Sequence, residues 1–284
     1  MKRFLIFSLL LVLVPNFATA KNPILVDKGG AGDFTTIQQA IESWCPSGTN
    51  YAENEPFVIE VSPSAPYIET MSLNDGNTDL TAAPGRGDIK GDIIIRSSVS
   101  SVYADVRLNA NGEETGAGLR DGLWIYQQTA DVTFENIIFS PEVTGTIDDD
   151  LVKIDKNADS AANTITFKNC IFTDTKDAGG PLTTSRADAQ RSSNVTYVGK
   201  LAANDNLVKI WNDNAEFIIV NFDRSIISTA KCNGIVLGGI AGPAVGQPTG
   251  PYELNAHECV FSYVGTTSPD SAIRIVDSGD VVPT

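Results

Sequence analysis

Two stretches decide how this chain is read: Asp150-Leu151-Val152-Lys153-Ile154-Asp155 and Asn206-Leu207-Val208-Lys209-Ile210-Trp211. Each opens on a short polar side chain and then alternates apolar with polar residues, the period of a β-strand. The pattern recurs at Asp121-Gly122-Leu123-Trp124-Ile125-Tyr126 and Ser271-Ala272-Ile273-Arg274-Ile275-Val276, with a weaker copy at Asn233-Gly234-Ile235-Val236-Leu237. A second series interleaves with it. Its members are Phe134-Glu135-Asn136-Ile137-Ile138-Phe139, Phe167-Lys168-Asn169-Cys170-Ile171-Phe172, Phe222-Asp223-Arg224-Ser225-Ile226-Ile227 and Ala256-His257-Glu258-Cys259-Val260-Phe261. Steps in this series are 33, 55 and 34 residues. The long step stands either for one unit with an insertion or for two units.

A period near thirty residues that holds two or three short strands is the signature of a solenoid. Each strand then stacks on its counterpart one coil later, about 4.8 Å away. Leu123/Ile125, Val152/Ile154, Val208/Ile210 and Ile273/Ile275 point inward and build the core. Trp124, Lys153, Lys209 and Arg274 form one outward column, and Tyr126, Asp155, Trp211 and Val276 the next. A β-propeller has repeats of similar length, but its blades need hairpins, and Asn-Gly or Asp-Gly hairpin signals between paired runs are sparse. The reading is an all-β parallel solenoid.

The same register constrains the cysteines. Cys170 and Cys259 hold equivalent positions two coils apart, roughly 9–10 Å, beyond disulfide reach. If bridges form, Cys232 is the partner for one of these two. The alternative is buried free thiols that fill ladder positions.

The clear helix lies within residues 31–44. Thr35-Thr36-Ile37-Gln38 reads as a capping box, and Ile37, Ala40, Ile41 and Trp44 recur at helical spacing. A solenoid exposes the end of its core and needs a cap, so a helix over 35–44 is expected to close the amino-terminal end. The run Gly32-Asp33-Phe34-Thr35-Thr36-Ile37-Gln38-Gln39-Ala40-Ile41, with Phe57-Val58-Ile59-Glu60-Val61 and Tyr67-Ile68-Glu69-Thr70, resembles the opening of pectinesterases. More broadly it is similar to the pectin-lyase-like superfamily. That resemblance implies a right-handed parallel β-helix. It carries over no catalytic residue, because the chain has no Gln-Asp pair and its one Asp-Phe is Asp33-Phe34, in the cap.

The first twenty residues read as an export signal. Lys2 and Arg3 start it, Phe4 to Val14 is apolar apart from Ser8, and Ala18-Thr19-Ala20 is a small-residue cleavage site. The apolar run is too short to span a bilayer comfortably. The expectation is a protein secreted to the extracellular space, the cell envelope or the periplasm. One domain then covers residues 21–284. The chain ends soon after a strand with no evident cap, which is the pattern of a fragment of a longer solenoid.

Composition narrows the function. The 284 residues carry 20 Lys+Arg against 35 Asp+Glu, a formal net charge of −15 that becomes −17 without Lys2 and Arg3. Phosphate binding needs clustered cations, so nucleic acid is not the expected partner. With His257 the single histidine, a Ser-His-Asp triad or a Cys-His pair has at most one candidate, and a multi-histidine metal site has none.

What remains is chemistry by carboxylates, Arg, Lys and Tyr, or binding alone. The outward columns supply Trp124, Tyr126, Lys153, Asp155, Lys209, Trp211 and Arg274. Exposed aromatic rings stack on sugar faces, and cations pair with uronate carboxylates. Asp148, Asp149 and Asp150, with Asp121 one coil earlier, form the densest carboxylate group and the candidate calcium site. Asp174 to Asn204 is either a loop leaving the coil or an irregular coil with Val195-Thr196-Tyr197-Val198 as its strand.

The leading expectation is a secreted β-helix protein that binds extracellular or cell-surface polysaccharide, uronate-containing polymers among the candidates, without catalysis. The alternatives are a polysaccharide-active enzyme (a calcium-dependent lyase, an esterase or a glycoside hydrolase) and a structural envelope or adhesin module.

Overall fold

A computed structural model describes residues 23–44, 56–69, 71–74, 92–108, 122–126, 130–142, 150–156, 163–176, 198–199, 206–212, 217–229, 232–238, 251–263 and 272–275. Among the described residues, strand β1 (Ile24–Val26) and helix α1 (Ile37–Trp44) lead into six coils. The first coil is β2 (Phe57–Val61), β3 (Tyr67–Glu69) and β4 (Met71–Asn74). The second is β5 (Ile93–Ser97), β6 (Ala104–Leu108) and β7 (Leu123–Tyr126). The third is β8 (Val132–Glu135), β9 (Ile137–Pro141) and β10 (Asp150–Lys156).

The fourth coil contains β11 (Asn163–Lys168) and β12 (Ile171–Thr173), then the short pair β13 (Thr175–Lys176) and β14 (Val198–Gly199), then β15 (Asn206–Asn212). The fifth is β16 (Ile218–Asp223), β17 (Ile226–Thr229) and β18 (Asn233–Leu237). The sixth is β19 (Tyr252–His257), β20 (Val260–Tyr263) and β21 (Ile273–Ile275).

Corresponding strands stack into three sheets. Sheet A has the order β1-β2-β5-β8-β11-β16-β19, sheet B β3-β6-β9-β12-β17-β20, and sheet C β4-β7-β10-β15-β18-β21. All their pairings are parallel. The chain is a right-handed parallel β-helix with an amino-terminal helical cap.

The step of 55 residues is one coil with an insertion. β13 and β14 pair antiparallel, Thr175 opposite Gly199, so the chain leaves the fourth coil after β12 and returns along its own path before β15. Residues 177–197, with Val195 among them, lie outside the described residues.

The second sequence series straddles a corner between sheets A and B. Asn136, Asn169, Arg224 and Glu258 turn it with φ of 57°, 51°, 49° and 51°. This left-handed conformation costs about 1–2 kcal/mol for a residue with a Cβ, and Asn tolerates it best. Asn169 donates its side-chain amide to Asn136 Oδ1 and accepts from Tyr103 Oη at 3.1 Å.

Inside, the alternation produces ladders. Ile59, Ile95, Phe134, Phe167, Phe222 and Ala256 form one column of sheet A. Phe167 stacks on Phe134 at 5.3 Å and on Phe222 at 5.2 Å between ring centres. Its edge meets Phe172 of sheet B at 5.0 Å. Cys170 is buried and free, so it is bridged neither to Cys259 nor to Cys232. Ser225 Oγ, one coil on, accepts from its backbone N–H at 3.1 Å. Burial in this apolar column pushes the Cys170 thiol up to about 12. Cys45 lies outside the described residues.

Outside, sheet A carries a column of alternating acidic and basic side-chain types: Glu60, Arg96, Glu135, Lys168, Asp223, His257. It closes as three contacts, Arg96–Glu60 at 2.7 Å, Lys168–Glu135 at 3.0 Å and His257–Asp223 at 3.0 Å.

The amino-terminal end is sealed by side chains as well as by the helix. Ile37, Ala40 and Ile41 pack into the core at 0%, 0% and 3% exposure. The helix begins later than the sequence suggests, and its cap is Thr36 rather than Thr35: Thr36 Oγ1 accepts from Gln39 N–H at 3.2 Å. A second cap comes from a distant carboxylate. Glu69 accepts from the N–H groups of Ile37 and Gln38 at 3.1 and 3.4 Å, satisfying donors that every helix start leaves open. Burial nevertheless raises its pKa, those two bonds opposing the shift. Gln38 Oε1 accepts from Ser72 N–H of β4 at 2.9 Å. The outer edge of β1 is taken by Asp33 and Phe34, whose N–H groups both donate to Leu25 O.

Candidate functional site on the outer face of sheet C

Sheet C brings together the residues singled out in the sequence. Parallel register aligns Ser72, Trp124, Lys153, Lys209, Val236 and Arg274 in one outward column. A second aligns Asn74, Tyr126, Asp155 and Trp211. Both columns run as the strand alternation requires. Val276 lies outside the described residues, and of Tyr126 and Arg274 the backbone positions alone are described.

Two features differ from the expectation. The basic strip is interrupted, because Val236 of the weak repeat sits between Lys209 and Arg274. That places Arg274 two coils from Lys209, roughly 9–10 Å. The face is also not uniformly open. Trp124 is 5% exposed and Lys153 7%, so the Trp124 ring is not an exposed stacking platform. Trp211, Asp155 and Lys209 are half-buried and retain accessible surface.

The charges on this face pair among themselves. Lys153 Nζ lies 3.9 Å from Asp155 Oδ2 and 5.9 Å from the centre of the Trp124 ring. Lys209 Nζ lies 3.4 Å from Asp150 Oδ2 and 5.8 Å from the Trp211 ring. An ammonium over an indole face is attracted by the ring quadrupole, by about 0.5–1 kcal/mol when exposed and more when desolvated. Each lysine therefore bridges one aromatic ring and one carboxylate on a rigid sheet.

Asp150 is fully buried and heads a polar ladder at the start of sheet C. Its Oδ1 accepts from Asn206 Nδ2 at 2.6 Å, and Asn206 Oδ1 accepts from Asn233 Nδ2 at 3.0 Å. The sequence carried this signal, since the repeats open on Asp121, Asp150, Asn206 and Asn233. Identical coil positions stack, and an amide donates to the oxygen one coil before it. Asp150 is thus engaged with Asn206 and Lys209. Asp148, Asp149 and Asp121 lie outside the described residues, and no group of three potential metal ligands occurs among the described ones.

No helix among the described residues is long and apolar enough to cross a membrane. Comparison with family models finds no match, and comparison with curated proteins finds none. Function is therefore argued from this geometry.

Proposed function

We propose that this is a secreted β-helix protein of the pectin-lyase-like kind that binds a uronate-containing polysaccharide, without catalysis, through the outer face of sheet C. One observation carries the reading: the half-exposed Trp211 ring lies beside Lys209 and Asp155 on a rigid parallel sheet. Indole covers the apolar face of a sugar, an ammonium answers a uronate carboxylate, and a carboxylate accepts from sugar hydroxyls. The chain is strongly acidic, so a polyanion approaches only where cations are concentrated locally. Export is supported by Lys2, Arg3, the apolar run to Val14 and the Ala18-Thr19-Ala20 site.

Affinity electrophoresis against polygalacturonate, alginate and neutral glycans tests this, run with calcium and with EDTA. The expected result is retardation by a uronate polymer that Trp211→Ala and Lys209→Ala each abolish while circular dichroism stays unchanged. Retardation that survives Trp211→Ala refutes the assignment.

A polysaccharide-active enzyme is the second reading. It is favoured by Asp150 and Lys153, an acidic and a basic side chain both buried in sheet C, the kinds of group that general acid–base catalysis uses. Release of unsaturated or reducing-end products from the same polymers would select it.

A further inference from the structure

Lys153 and Lys209 stand one coil apart in the same outward column, about 4.8 Å, yet their ammonium groups turn to different partners. Lys153 Nζ lies by Asp155, two residues further along β10. Lys209 Nζ reaches back to Asp150, at the start of β10. Two cations directly opposite each other on neighbouring strands repel, and the carboxylates at the two ends of β10 draw this pair apart. Asp150 is the more constrained carboxylate. Its side chain is fully buried, its Oδ1 accepts from Asn206 Nδ2, and Asn206 Oδ1 accepts from Asn233 Nδ2. A carboxylate accepts and never donates, so Asp150 sets the direction of the ladder: each amide turns its NH2 toward the coil before it. Oδ1 is thereby committed to Asn206, and Oδ2 faces the Lys209 ammonium at 3.4 Å.

We infer that Asp150 is the positioning residue of the sheet C face: with the Asn206–Asn233 ladder behind it, it holds the Lys209 ammonium where a uronate stacked on Trp211 meets it. This rests on the reading of that face as a uronate site. A lysine side chain is long and flexible, and holding it in one place costs rotamer entropy. A buried carboxylate fixed by an amide ladder offsets that cost before the ligand arrives, so binding has less left to order. An ammonium carries three donors, so the contact with Asp150 leaves others for a carboxylate of the ligand.

Charge and position predict opposite signs for Asp150→Asn. The substitution removes a negative charge beside Lys209, so an attraction set by local charge alone would make a polyanion bind more tightly. The geometry gives the reverse. Asn206 offers its NH2 to position 150, so the new amide must answer with its oxygen and turn its own NH2 to Lys209. Two donors then face each other and the ammonium is driven from its place. Adding Asn206→Asp undoes this. A carboxylate at position 206 accepts from both neighbours, so the amide at position 150 turns its NH2 to it and presents its oxygen to Lys209. The double variant Asp150→Asn/Asn206→Asp also keeps the composition and net charge of the wild type.

Affinity electrophoresis in gels containing polygalacturonate measures the outcome. Asp150→Asn is expected to raise the dissociation constant at least about tenfold, and the double variant to recover most of the retardation. Equal or stronger retardation of Asp150→Asn overturns the inference, as does a double variant with the wild-type thermal midpoint whose retardation stays weak. A second measurement needs no glycan and so separates this inference from the uronate reading. Lysine acetylation by an N-hydroxysuccinimide ester is followed by peptide mass spectrometry on the folded chain. The side chains of Lys153, Lys209 and Lys168 are 9%, 17% and 41% exposed. In Asp150→Asn the Lys209 rate should rise toward that of Lys168, while Lys153 keeps its wild-type rate. The double variant should return Lys209 to its wild-type rate. An unchanged Lys209 rate in Asp150→Asn overturns the positioning role. A fast rate in the double variant overturns it even if the single variant does not fold. A wild type that no uronate polymer retards, together with a Lys209 released in Asp150→Asn, refutes the uronate reading and upholds the positioning role.

Discussion

Replacing Phe167 with alanine tests whether the phenylalanine ladder holds the coils together. The side chain is fully buried and touches rings on three coils and two sheets. It stacks on Phe134 and Phe222 and meets Phe172 and Phe139 edge-on at 5.0 and 6.2 Å. Truncating a buried phenylalanine costs about 3–5 kcal/mol in transfer and cavity terms. Each well-placed aromatic pair adds about 0.5–1.5 kcal/mol. Because the surviving rings still contact one another, those pair terms do not add in full, and about 5 kcal/mol is the working figure. Phe167→Leu keeps most of the volume but none of the ring geometry, so it should cost about 1–3 kcal/mol.

Urea unfolding followed by far-ultraviolet circular dichroism supplies the comparison, with Phe261→Ala as the internal standard. Phe261 occupies the last of the described coils and is half-buried, so its loss should cost about 1–2 kcal/mol. Coils in a solenoid contact only their neighbours, so a defect in the fourth coil, which has a described coil on each side, interrupts coupling in both directions, whereas Phe261 packs against the described fifth coil and is buried less. A Phe167→Ala penalty below about 2 kcal/mol, or within about 1 kcal/mol of that for Phe261→Ala, refutes the ladder argument.

Two further outcomes are expected. Asn169→Ala should lose about 1–2 kcal/mol in thermal unfolding, because alanine pays for the left-handed corner and gives up the contacts to Asn136 and Tyr103; Asn169→Gly should keep the corner and lose less. Asp223 has its pKa lowered, chiefly by the hydrogen bond from His257 and then by Arg224. A depressed carboxyl contributes stability above its unfolded value near 3.8 and loses it as pH falls through the lower folded value. Carboxyl NMR titration should therefore show the Asp223 midpoint rising toward that value in His257→Ala.

Much of the coil pattern could be read from the sequence because the strand period says which side of a sheet each residue takes. Leu123, Val152 and Val208 went inward, and Lys153 and Lys209 outward, on that rule alone. The rule gives the side and not the depth, so it could not reveal that Trp124 and Lys153 are almost buried. Nor does it single out Val236, because the repeat Asn233-Gly234-Ile235-Val236-Leu237 matches the pattern only weakly. The corner escaped for a different reason. Asn136 and Asn169 suit a left-handed turn, but Arg224 and Glu258 occupy the same position and carry no such preference. Glu69 could not have been recognised as a helix cap, since it lies 32 residues from Ile37 in sequence.

The tight corner between sheets A and B divides the perimeter of the solenoid into unequal parts. In four successive coils that corner uses only one or two residues between strands, as at Asn136 or Asn169-Cys170. Between sheets B and C the connection ranges from the single Thr70 to the 32 residues of 174–205. The first is a seam and the second an open margin. Foreign sequence spliced at the seam would have to displace a stacked strand, whereas the margin already accepts long detours. Loop grafts, tags and reporter domains therefore belong in the B-to-C connections, and each of them enters the molecule at the border of the face that carries Trp211 and Lys209.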